Sequence, residues 1–206
     1  TKDDKYELGV SHVSERNKGS QAEMAGVDLS IDITDSIELK AEYATSDNVQ
    51  VENSDAWSVT LDQEQGNITS ELYARKVEGG FGVGQQNASE DGTFKYGAAV
   101  RWDFAENYEL EVSADSQEQL QTAEETQQAG VDIRRTGEKT AVQIGYRIAD
   151  GSDSVASEQR SELVTVGVSY QPWERLRLDA SSEFSVNDDQ ENEVFPARHT
   201  VGADLK

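Results

Sequence analysis

Ala25-Gly26-Val27-Asp28-Leu29-Ser30-Ile31-Asp32-Ile33-Thr34-Asp35-Ser36-Ile37-Glu38-Leu39-Lys40-Ala41-Glu42-Tyr43 is the stretch that decides the fold. Apolar side chains fall at 25, 27, 29, 31 and 33, with Gly26, Asp28, Ser30 and Asp32 between them. After Thr34-Asp35-Ser36 the pattern resumes as Ile37, Leu39, Ala41 and Tyr43, with Glu38, Lys40 and Glu42 on the other side. Successive strand side chains point to opposite faces, so a period of two marks a strand with one oily and one wet side. The polar break at 34–36 is a tight turn between two such strands. The wet side carries too many charges for a sandwich core, and no helical segment is present to cover the oily side. A closed barrel in a membrane, apolar outside and polar within, satisfies both faces.

The same alternation predicts twelve strands. Their apolar sets begin at Tyr6, Ala25, Ile37, Trp57, Ile68 and Phe94, and then at Tyr108, Ala129, Val142, Val164, Leu176 and Val201. The fifth set (Ile68, Ser70, Leu72, Ala74) is the weakest, because Tyr73 and Val77 fall on its other face. Short turns are expected at 34–36, 63–67, 105–107, 134–139 and 171–175, and long loops at 14–21, 46–55, 77–92, 115–127, 149–162 and 186–198. Short turns at one rim and long, acid-rich loops at the other match the build of outer-membrane barrels. Ala-Gly-Val-Asp-Leu at 25–29 returns in related form at 96–100, 129–133, 166–170 and 201–205, a hairpin repeat of about 35 residues, or twice that between the first two, where Trp57-Ser58-Val59 fills the missing slot.

Composition bounds the rest. The 206 residues have a mean hydropathy of -0.72, and no run approaches the roughly 20 apolar residues of a membrane helix. Barrel strands need only about 9–11 residues, half of them polar. With no cysteine, disulfides and thiol chemistry are excluded. A formal charge of -23 argues against nucleic-acid partners, whose binding draws on a basic face. No signal peptide is visible.

Trp102, Phe104, Tyr108, Tyr170 and Trp173 flank short turns, while Tyr43, Tyr146 and Phe184 sit at the opposite strand ends. Two such girdles are expected where rings meet both headgroup layers. On these features, over nearly all of its length, the chain resembles the Gram-negative outer-membrane β-barrel superfamily, which includes porins, adhesins, secretion pores and, rarely, enzymes. The resemblance rests on alternation, girdles and loop asymmetry and on no diagnostic motif. It implies residence in the outer membrane, with the lipid bilayer and lipopolysaccharide as partners. Many members end in an aromatic residue, whereas this chain ends in Asp204-Leu205-Lys206. Both chain ends fall on the short-turn side, which fits one barrel over 1–206 or a twelve-strand section of a larger one.

The lumen face is then expected to carry Asp28, Asp32, Glu38, Lys40, Glu42, Asp62, Glu71, Arg75, Lys95, Arg101, Asp103, Glu109, Glu111, Asp132, Arg134, Arg147, Arg177, Asp179, Glu183 and Asp204. Acids outnumber bases, and charged rings set ion selectivity, so one reading is a passive, cation-preferring channel for small solutes. The other has these charges pairing across strands and filling the lumen as a plug. From a different class, a soluble or surface-exposed β-rich adhesion module stays open as an alternative. No enzyme activity is expected: His12 and His199 continue apolar faces, away from any orienting acid. No metal or other cofactor is expected beyond weak Ca²⁺ binding by acidic loops such as 150–153 and 188–193. The run Gly79-Gly80-Phe81-Gly82-Val83-Gly84 lacks the Lys-Ser/Thr of a phosphate loop and reads as a mobile surface loop.

Overall fold

A computed structural model describes residues 5–17, 20–48, 53–82, 90–152, 158–186 and 198–205. It is all-β. The strands are β1 (Tyr6–Asn17), β2 (Ser20–Thr34), β3 (Ile37–Asn48), β4 (Ser54–Gln65), β5 (Ile68–Val77) and β6 (Thr93–Ala105). They continue as β7 (Tyr108–Gln119), β8 (Glu125–Thr136), β9 (Thr140–Ser152), β10 (Glu158–Trp173), β11 (Leu176–Ser185) and β12 (His199–Leu205). Hydrogen-bonded neighbours follow chain order from β1 to β12, an antiparallel up-and-down topology. The chain forms two compact units, one of residues 1–65, 70–98 and 116–125, the other of residues 66–69, 99–115 and 126–206.

In the first unit the register matches the face pattern. Leu8 lies opposite Leu29, Leu29 opposite Ala41, and Ala41 opposite Val59. One residue along, Ser30 faces Lys40 and Lys40 faces Thr60. A slip of one residue would put charges on the apolar side, so this register is strongly specified. Pairing of β2 with β3 shifts between Asp32 and Thr34, at the short turn. β1 and β2 pair as far as Asn17 opposite Ser20, so the stretch 14–21, expected as a long loop, is mostly strand. The connection at 115–127 shortens in the same way, because β7 runs to Gln119 and β8 starts at Glu125. Leu120 N donates to Gly92 O and Gln119 N to Glu124 O, at 2.8 Å each.

In the second unit, Val164 lies opposite both Tyr146 and Phe184, and Val168 opposite both Val142 and Ala180. The β10–β11 register breaks between Tyr170 and Trp173, around Pro172, which has no N–H for the ladder. The turn after β4 places Gly66 at φ +63°, a conformation that costs a side-chain-bearing residue. Asn67 anchors that turn: Asp103 N donates to its carbonyl at 2.9 Å, and its Nδ2 donates to Asp103 O at 2.7 Å.

Burial is inverted relative to a soluble domain. Among the described residues, Ala149 and Leu163 are the only buried hydrophobic side chains, whereas Leu29's strand neighbours Val27 and Ile33, together with Ile144, Val168 and Tyr170, stand exposed. Leu163 lies opposite Arg147 and Ser185, and Ala149 opposite Ser161, on the polar side of their strands. Strand alternation did not reveal this buried patch, because both residues are out of phase with the outward valines.

Candidate functional site

Charged side chains cluster on the polar face of both units. In the first, Lys40 Nζ stands 3.0 Å from Glu38 Oε2 and 3.0 Å from Asp62 Oδ2. Ser30 Oγ donates to Glu38 Oε1 at 2.7 Å. These side chains are well hydrated, so water screens each pair and it serves mainly to place charge. Acids also face acids here. Asp28 is opposite Glu42, and Asp32 opposite Glu38. Like charges directly across a ladder are destabilising unless counter-ions relieve them. Asp28 lies over Gly9, where an added Cβ would collide with its carboxylate.

In the second unit, Arg177 Nε donates to Asp179 Oδ1 at 2.9 Å and Arg177 Nη2 to Ser169 Oγ at 3.0 Å, while the Ser169 hydroxyl donates to Asp179. Arg134 lines the same cavity of about 250 Å³ as Arg177 and Asp179. Asp132 accepts from Gln143 Nε2 at 2.9 Å and lies over Gly145, where a Cβ would collide with it. The two Ala-Gly-Val-Asp repeats at 25–28 and 129–132 therefore end alike, with a carboxylate against a neighbouring strand's glycine. Arg101, Asp103, Glu109, Glu111, Arg147 and Glu183 alternate with the apolar residues of their strands and form no ion pair among the described residues.

The glycine-rich run lies differently from the sequence expectation. Its described part, residues 79–82, is tied to the polar face: Ser54 Oγ donates to Gly79 O at 3.1 Å, and Gly82 N donates to Ser46 Oγ at 2.9 Å. Ser46 and Ser54 are opposite one another and almost fully buried. Gly82 has a φ of +116°, which a β-carbon disfavours, so glycine is needed to bring the backbone onto these hydroxyls.

Aromatic borders occur in both units. Trp102 and Phe104 have ring centroids 5.6 Å apart, Phe104 and Tyr108 5.7 Å, and Arg135 covers Tyr108 at 5.8 Å. Tyr170 and Trp173 are exposed beside the next turn. At the other strand ends, Phe184 packs edge-on to His199, and Tyr146 OH donates to Glu162 Oε2 at 2.8 Å. Tyr43 lies opposite Trp57, which continues into Phe94 at 6.0 Å and Tyr96 beyond it at 5.6 Å. Trp57, Phe94 and Tyr96 were missing from the expected girdle, although each stands in phase with its strand's apolar set. Just past this border, Lys76 Nζ donates to Glu78 Oε1 at 2.9 Å and Asp55 N to Glu78 Oε2 at 3.2 Å. Lys76 first, and then the Asp55 amide, hold the Glu78 carboxyl below its ordinary pKa.

His12 lies opposite Ala25 and His199 opposite Ser182, both on apolar faces. Among the described residues no three His, Asp or Glu side chains gather to hold a metal ion. Of the acidic loop runs, 153 and 188–193 lie outside the described residues.

No family model matches the sequence, and no curated protein matches it. Solved structures do. OmpT of Vibrio cholerae, expressed in the outer membrane, is 14% identical with a TM-score of 0.54, covering 88% of this chain. The chain spans 64% of that protein's length. A loop L8 deletion mutant of OmpT, an outer membrane protein of Vibrio cholerae, is 10% identical with a TM-score of 0.53. That match covers 98% of this chain and 99% of the other. The fold is that of the outer-membrane β-barrels, which cross the Gram-negative outer membrane on antiparallel strands.

Proposed function

We propose that this protein is a passive, non-enzymatic channel of the Gram-negative outer membrane whose acidic interior favours cations. The observation that carries the reading is the cross-strand pairing of acids, Asp28 with Glu42 and Asp32 with Glu38, on a hydrated face. Such an arrangement lowers stability in isolation and becomes favourable when mobile cations occupy the space beside it. The exposed valines, isoleucines and rings of the opposite face supply the lipid contact, with the aromatic borders at the headgroups and lipopolysaccharide next to the outer one. An adhesion module in water would expose this apolar surface at a high cost.

A plugged scaffold is the second reading, favoured by residues 79–82 lying against Ser46 and Ser54. Osmotic swelling of liposomes containing the refolded chain separates the two. The channel account expects swelling in small uncharged sugars at a rate that falls with solute size. Liposomes that do not swell, although the chain in them shows heat-modifiable electrophoretic mobility, refute it.

A further inference from the structure

Tyr73 places an aromatic ring on the wet face of β5. Alternation along that strand sets Glu71, Tyr73 and Arg75 in a row on this face, an acid, a ring and a base at two-residue steps. With Ser58, Thr60 and Ala74 they line a cavity of about 350 Å³. The Arg75 guanidinium lies 5.6 Å over the Tyr73 ring, and one terminal nitrogen pairs with Glu90. Its Nε is enclosed and has no hydrogen-bond partner among the described residues. Glu71 makes no hydrogen bond or ion pair among the described residues.

We propose that this cavity is a binding station for small dipolar solutes, amino acids and short peptides in zwitterionic form. Arg75 takes the carboxylate by a charge-assisted hydrogen bond from its guanidinium. Glu71 takes the ammonium, Tyr73 walls the middle, and the Ser58 and Thr60 hydroxyls bond to the peptide group. Four strand steps separate the Cα atoms of residues 71 and 75 by about 13 Å. A dipeptide spans about 7 Å, which leaves about 6 Å for the two side chains to cover. A simple anion meets Glu71 and Glu90, a simple cation meets Arg75, and a neutral sugar leaves both charges unused. The inference rests on reading the polar face as a solvated interior.

Calorimetric titration of the refolded full chain in detergent with glycylglycine tests the station without requiring conduction. Saturable binding is expected, weakened about tenfold or more in Glu71→Gln, whose side chain is not needed for any described contact. N-acetylglycylglycine, which lacks the ammonium, is expected to bind the natural chain more weakly and to be indifferent to Glu71→Gln. Arg75→Gln is expected to weaken both ligands. Tighter binding of glucose or 1,4-diaminobutane than of glycylglycine overturns the proposal, as does a Glu71→Gln variant with unchanged affinity. Binding in a chain that passes no ions upholds the station and removes the channel. Conduction without glycylglycine binding does the reverse.

Discussion

Replacing Ala41 by arginine puts a charge at the middle of the apolar face. Along β4 the outward-facing polar residues nearest the centre are Asp55 and Gln63, and Val59 is midway between them, opposite Ala41. Eight strand steps are about 26 Å along the chain, or about 20 Å of membrane depth at a tilt near 40°. Ala41 therefore sits at the midplane, between Leu29 and Val59. An outward arginine there costs about 2–4 kcal/mol, which is about 30- to 900-fold in the folding equilibrium. Ser58→Arg is the control, one residue away on the polar face and opposite Glu42, with an expected change within about 1 kcal/mol. Urea titration of folding into phospholipid vesicles, followed by heat-modifiable mobility, measures both. If Ala41→Arg is neutral, or if Ser58→Arg costs as much, the two faces have been assigned wrongly and the lipid contact falls with them.

The remaining predictions concern the polar face and its outer edge. Gly9→Ala and Gly145→Ala would each drive a methyl group into a carboxylate, that of Asp28 and of Asp132 respectively, and the carboxylate can swing away. Each variant should fold with a loss of about 1 kcal/mol in urea titration and shift ion preference; failure to fold would mean the carboxylates are locked in place. Ser46→Ala combined with Ser54→Ala removes two hydroxyl anchors of residues 79–82, and single-channel conductance should rise or become noisier. An unchanged current trace would show that this segment does not obstruct the path. The Glu78 pKa is depressed, so its contribution is present above the ordinary carboxylate value and is lost as pH falls through the lowered one. Hydrogen exchange at the Asp55 amide, corrected for its intrinsic rate, should therefore accelerate as the pH falls below the ordinary carboxylate range, and protection that increases on acidification would contradict the assignment.

The strands were legible because a single local rule, side-chain alternation, governs them. Residues 25–43 show both faces and the turn in nineteen positions, and the observed register of Leu29, Ala41 and Val59 follows the same phase. Strand ends were less legible. β1 and β7 continue into polar sequence beyond the apolar band, where alternation of hydrophobicity disappears although the hydrogen-bond ladder does not. The polar-face positions of Glu38, Lys40 and Asp62 followed from phase, but the contact of Lys40 with Asp62 required the β3–β4 register. The tether of residues 79–82 depends on Ser46 and Ser54, far away in sequence and unremarkable by composition. Buried Leu163 and the station around Tyr73 are likewise exceptions to alternation, and an exception acquires meaning only when its spatial neighbours are known.

The zero-current potential of the refolded chain in a planar bilayer, under a tenfold potassium chloride gradient, bears most directly on the central claim. An acidic, solvated interior predicts discrete conductance steps and a reversal potential of cation-selective sign, part of the way to the roughly 59 mV of perfect selectivity. Neutralising Asp28 and Asp32 together should move that potential toward zero. Steps of anion-selective sign, or a silent bilayer containing correctly folded chain, would contradict the account.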